Sequence, residues 1–202
     1  MAAGASPVSP FRRGRPDLIT IVSGLPRSGT SLMMQMLAAG GLDPLTDQIR
    51  KPDTDNPRGY FEWERIKQLA ANPGAIAEAE GKVVKVISSL LLHLPQNHEY
   101  RVVFLRRPLA QIVASQAEMM RRRGTQGGAA SAAAMETALQ VHLRSVTAWL
   151  RERPSIRVHW VDYPELIADP VKHAGEIAAF LGAGPDAAKM AAQVDPALFR
   201  NK

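Results

Sequence analysis

Cysteine is absent from all 202 residues. That excludes a disulfide framework and a Cys-based metal site, and leaves the redox compartment unconstrained. The five histidines show no ligand-like spacing, so no metal is expected. No apolar run approaches the ~18 residues of a membrane span, and the N-terminal residues lack the apolar segment of a signal peptide. Together these predict a cytoplasmic chain with no membrane span. Aromatics make up only 5% of the residues, and no basic-aromatic strip or reader motif is visible. Nucleic acid is therefore not an expected partner, despite a net charge of +6 from 25 basic and 19 acidic residues. Three of those bases, Arg12, Arg13 and Arg15, fall in residues 1–16, which hold no acid; without them the balance is 22 against 19, or +3. A small anionic ligand accounts for that mild excess equally well.

Residues 1–16 mix Ala, Gly, Ser, Pro and Arg without periodicity and read as a flexible basic leader. Residues 17–202, in a chain that is 46% hydrophobic, suffice for one domain with one core. Strands are expected at about 17–22, at Lys82 to Ile87, at Arg101 to Leu105 and at Ile156 to Val161. Helices are expected from Thr30 to Ala39, over 61–70 with a further helical piece to Glu80, from Pro108 to about Arg123, from Met135 to Arg151, and from Asp169 to near Gly182. Residues 43–60, with three prolines and four aspartates, read as a long surface connection of the sort that often forms a lid. The Ala- and Gly-rich stretch after Gly124 reads as a loop or a frayed helix start. Strands alternating with helices imply an α/β fold, a parallel sheet of about four to five strands flanked by helices.

The chemistry concentrates in TIVSGLPRSGTSLMM, residues 20–34. A strand runs into a turn with Gly24 and Gly29 and then into a helix, the layout of a phosphate cradle. The spacing matches the P-loop pattern GxxxxGK[ST], but the lysine is missing and Thr30 and Ser31 follow Gly29 directly. A cation stands instead inside the loop, at Arg27. A second anchor is the end of the third strand, FLRRP, with Arg107 eight residues before Ser115. Ser115 falls about two turns, ~10 Å, into the next helix. From there its hydroxyl and an arginine at the strand end can close on one anion.

PRSGTS resembles the 5′-phosphosulfate loop of the sulfotransferase family, and the Arg107/Ser115 pair is similar to the one that holds the 3′-phosphate of that family's cofactor. The segment YPELIADPVKHAGEIAAFLG resembles the C-terminal part of many members, so the likeness covers most of residues 18–184 and is to bacterial-type members. It implies a P-loop NTPase-like sulfotransferase architecture and metal-independent transfer from 3′-phosphoadenosine 5′-phosphosulfate (PAPS) to an acceptor hydroxyl or amine, releasing adenosine 3′,5′-bisphosphate (PAP). It also implies that Pro26, Arg27, Ser28, Gly29, Thr30, Ser31, Arg107 and Ser115 bind the cofactor. A singly charged sulfuryl group needs less cation than a γ-phosphoryl group, which fits the absent lysine.

The chain also departs from the family pattern. Many cytosolic members carry Lys-Thr-His at the second strand, whereas Lys85 is followed by Val86 and Ile87, so that histidine is absent. The basic, glycine-containing C-terminal segment of those members is not evident. Arg27 and Lys85 are the expected catalytic cations. For the base, Glu62 beside Tyr60, Phe61 and Trp63 is the first choice, then Asp47 on the long connection, then His93. Two other functions fit parts of the pattern. A P-loop kinase or NTPase would use Asp162, at the end of the fourth strand, for Mg²⁺. A non-catalytic nucleotide binder would keep the cradle without a base.

Overall fold

The computed structural model describes residues 18–47, 49–51, 53, 56, 59–122, 124, 131–182 and 184–195. The expected leader at 1–16, Arg123 and the low-complexity residues 125–130 lie outside the described residues.

Four parallel strands form the sheet, β1 (Leu18–Gly24), β2 (Val83–Lys85), β3 (Glu99–Arg106) and β4 (Ile156–Asp162), in the order β2-β1-β3-β4. The central strand β1 is buried along almost its whole length, LITIVSG, as expected of a strand covered on both faces, whereas the edge strand β4, IRVHWVD, carries polar and partly exposed positions. Successive side chains alternate between two cores. Ile19, Ile21, Val84, Val102 and Phe104 face one, with Val146 and Leu150 of α3 (Ala132–Arg151). Val22, Val103, Leu105 and Val161 face the other, with Met33, Met34, Met36 and Leu37 of α1 (Thr30–Ala39) and Ile177 of α5 (Pro170–Leu181). The expected core role of the α1 methionines holds, since all three are fully buried.

β1 sits between β2 and β3, paired Val22 to Lys85 on one side and Gly24 to Leu105 on the other. Chain order reverses there, and the crevice beyond the strand ends at such a reversal is where open α/β sheets bind ligands. The segment over 61–70 is not an α-helix but a 3-10 turn, Glu64–Gln68, followed by another at Pro73–Ala79. Buried Trp63, Ile66 and Leu69, three residues apart, anchor it at the 3-10 spacing. The β2–β3 crossover holds a third 3-10 turn, Ser88–His93. After it α2 spans Leu109–Arg122, and α3 begins three residues earlier than expected, at Ala132, where Ser131 caps it by accepting from the Ala134 N–H. Two short helices were not foreseen, α4 (Tyr163–Ala168), with proline in its first turn, and α6 (Ala187–Ala191), capped by Asp186. Among the described residues no helix is long and apolar enough to cross a membrane.

Candidate functional site

At the end of β1 the backbone turns through two glycines for which no other residue fits. Gly24 has φ 151°, and a Cβ there would stand 2.4 Å from Ser28 Oγ and 2.8 Å from the Leu105 carbonyl. Gly29, at φ 102°, would drive a Cβ to 2.2 Å from the Tyr163 ring. Between them Arg27 adopts φ 72°, a left-handed conformation costing roughly 1 kcal/mol in a residue with a Cβ. Gly29 is the N-cap of α1, so the first N–H groups of α1 open on the loop. Pro26, Arg27, Gly29, Thr30 and Ser31 line a cavity of about 560 Å³ above it. Ser28 does not: it is fully buried, its N–H donates to the Leu25 carbonyl, and its hydroxyl packs under the loop with no partner among the described residues.

The second anchor meets the first. Arg27 Nε donates to Ser115 Oγ at 3.0 Å, linking the loop to α2. Arg107 Nη1 donates to the Arg27 carbonyl at 3.1 Å and Arg107 Nε to Gln111 Oε1 at 3.0 Å, so the guanidinium is held from both sides. Its charge lies 5.0 Å from the Tyr163 ring centre. Burial lowers the Arg107 pKa, Tyr163 opposes that, and the Arg27 charge lowers it a little further. Tyr163 supports both Gly29 and Arg107 and lines the cavity. Its signal in the sequence was its place at the end of β4, on the same sheet edge as the loop.

Lys85 is the third cation. The sheet edge at β2 is covered by a bridge from Pro44 to Val83, and Lys85 is only 8% exposed. Its ammonium donates to Ser31 Oγ at 3.3 Å and to the Tyr60 carbonyl. Burial pushes its pKa down to about 8, against the pull of the Glu62 charge. Glu62 lines the cavity and is ion-paired with Arg50 at 2.7 Å, and Lys67 lies 3.8 Å from its other oxygen. Arg50 stacks on Tyr60, 3.3 Å from the ring centre; nothing in the sequence singled it out within the 43–60 connection.

Asp47 and His93 are not brought to this cavity. The Asp47 carboxylate accepts the Glu64 N–H at 2.5 Å and the Ile49 N–H at 3.1 Å, and these backbone bonds hold its pKa below the usual range. It ties the long connection to the 3-10 turn. Asp162, the acid a kinase would need, lies outside the cavity lining and pairs with Arg106 at 2.6 Å.

Three cations (Arg27, Lys85, Arg107) and three hydroxyls (Thr30, Ser31, Ser115) thus share one wall with a helix N-terminus. Two neighbouring guanidiniums on that wall, one with its pKa lowered chiefly by burial and less by the charge of the other, are stabilised by an anion. A nucleotide carrying two separated anionic groups fits this donor set.

The sulfotransferase domain family matches residues 17–202, and the chain belongs to that family, whose members transfer sulfate. Three solved structures share the fold. The sulfotransferase domain of an olefin synthase from Synechococcus PCC 7002 is 18% identical, with a TM-score of 0.55 over 98% of this chain and 87% of that one. The sulfotransferase domain from the curacin biosynthetic pathway is 15% identical, with a TM-score of 0.50 over 92% and 90%. A sulfotransferase from Alicyclobacillus acidocaldarius is 14% identical, with a TM-score of 0.50 over 94% and 98%. No curated protein matches the chain in sequence.

Proposed function

We propose that the chain moves a sulfuryl group from PAPS to an acceptor hydroxyl by in-line, metal-independent displacement. The observation that carries this is the linkage of Arg27 in the glycine loop, Ser115 on α2 and Arg107 at the end of β3 by hydrogen bonds of 3.0 and 3.1 Å. Arg107 and Ser115 hold the 3′-phosphate. Gly29, Thr30, Ser31 and the α1 N-terminus hold the 5′-phosphosulfate, with Pro26 shaping the turn. PAPS supplies the activated sulfuryl group and, as leaving group, PAP. Arg27 and Lys85 face the oxygens on which charge develops. The acceptor oxygen bonds to sulfur as the sulfur–oxygen bond to PAP breaks, and the hydroxyl proton passes to Glu62, which lines the same cavity as Lys85. Ser28 contributes by packing its hydroxyl under the loop against Gly24, and Asp47 by fixing the loop that carries Glu62.

Thermal shift and calorimetry with PAP against ATP and Mg²⁺ test the donor. PAP is expected to bind more tightly, and Arg107→Ala to abolish the preference. Tighter binding of ATP with Mg²⁺ overturns the reading.

A further inference from the structure

Beside these cations and hydroxyls the same cavity carries apolar lining. Lys85 and Ile87 are two residues apart and both line the cavity, while Val86 between them is fully buried in the core. Ile87 is 39% exposed, and Leu90 and Ile66 lie on the same lining. An isoleucine left open beside a reacting centre is stabilised only when something apolar covers it.

Arg50 lines the same cavity, on the ring of the Tyr60 whose carbonyl Lys85 holds. Its guanidinium is fixed on the Tyr60 face and by Glu62 Oε1. Tyr60 is itself pinned twice, by its hydroxyl donating to Asp53 Oδ1 at 2.6 Å and by Lys85 holding its carbonyl. Glu62 engages the guanidinium through Nη1, one corner of a five-donor fork. Lys67, also on the lining, is committed to Glu64 at 2.5 Å, and Arg122 to Glu118 at 2.8 Å. The donor's phosphates already have Arg27 and Arg107. The Arg50 guanidinium, held in place and 35% exposed, is pre-organised for a different anion at low entropic cost.

The geometry points to an acceptor hydroxyl carried on an apolar body that also bears an anionic group, the body lying on Ile66, Ile87 and Leu90 and the anion meeting Arg50. This rests on the donor reading above and names the acceptor class for the same site. It disfavours neutral polyols, which would leave the apolar wall wet and the guanidinium unread.

The test uses the full chain with saturating PAPS and follows sulfate transfer to matched probes. These are para-hydroxyphenylacetate, its neutral amide para-hydroxyphenylacetamide, and glucose as a polyol. The carboxylate is expected to exceed the amide about tenfold in kcat/KM, and glucose to be poorest. Arg50→Gln should erase the preference through KM, bringing the carboxylate down to the level of the amide, and Arg50→Lys should restore part of it. Ile87→Asn should raise KM for both phenols. If Arg50 serves only to hold Glu62, Arg50→Gln lowers kcat for both phenols alike, and the inference fails. It fails also if the amide matches the carboxylate, if glucose is preferred, or if PAP binds but none of the three is sulfated. Absence of PAP binding instead overturns the donor reading and this inference with it.

Discussion

Replacing Lys85 with methionine separates what the ammonium costs the fold from what it does for the reaction. In the wild type the amine is 8% exposed and titrates at about 8 rather than 10.5. At 1.36 kcal/mol per unit, keeping it protonated in the folded state costs about 3 kcal/mol at pH 7. Methionine removes that cost but leaves the Tyr60 carbonyl and Ser31 hydroxyl without their donor, about 1 kcal/mol each. The variant is therefore expected to be more stable at pH 7, by about 1 kcal/mol. The sign of the pH dependence is fixed. Between pH 8 and 10.5 the unfolded chain holds a proton on Lys85 that the folded chain has released, so wild-type stability rises with pH across that window relative to the variant. Below it both states are protonated and the full cost is present; above it both are neutral and the cost is gone. From pH 7 to pH 10 the wild type should gain about 2.5 kcal/mol on Lys85→Met in urea unfolding. The same substitution should lower sulfate transfer by about 10²- to 10³-fold, the usual loss when one donor to developing charge is removed. A stability difference that stays constant from pH 7 to pH 10 refutes the argument, because it means the amine is not paying for burial.

Other variants probe the remaining parts of the site. Gly29→Ala forces a left-handed alanine against the Tyr163 ring; a loss of about 1–3 kcal/mol in stability is expected, with PAP binding lost by calorimetry. Ser115→Ala should weaken PAP about tenfold while leaving adenosine 5′-monophosphate, which lacks the 3′-phosphate, much less affected. Glu62→Gln should retain PAP affinity by calorimetry and lose transfer. Asp162→Asn removes a half-exposed ion pair with Arg106, so stability should fall by no more than about 1 kcal/mol with transfer unchanged; a collapse of activity would return Asp162 to the site.

Local chain chemistry made much of this protein readable. The four parallel strands follow from short apolar-rich runs separated by helical patterns, and the central strand β1, covered on both faces, is buried along almost its whole length. The loop follows from Gly24 and Gly29, whose φ values a residue with a side chain rarely adopts. Arg107 and Ser115 follow from being eight residues apart across a strand end and a helix start. The 61–70 segment looked helical because its apolar spacing suits either period over so short a run, and burial of Trp63 and Ile66 against the sheet selected the tighter turn. Lys85 could not be told from an exposed edge lysine until Pro44 covered the β2 edge and Ser31 and Tyr60 came within reach. Ser28, read as a ligand for the cofactor, turns its hydroxyl under the loop toward Gly24, a direction set by backbone angles. The sequence by itself determined the four strands, most of the longer helices and the glycine turn, since each depends on residues adjacent in the chain. Only the tertiary structure decided that Arg27 reaches Ser115, that Tyr163 supports both Gly29 and Arg107, and that Arg50 stands against Tyr60 and Glu62. Those contacts join residues from 10 to 134 positions apart, and no local pattern encodes which of many distant side chains the sheet order brings together.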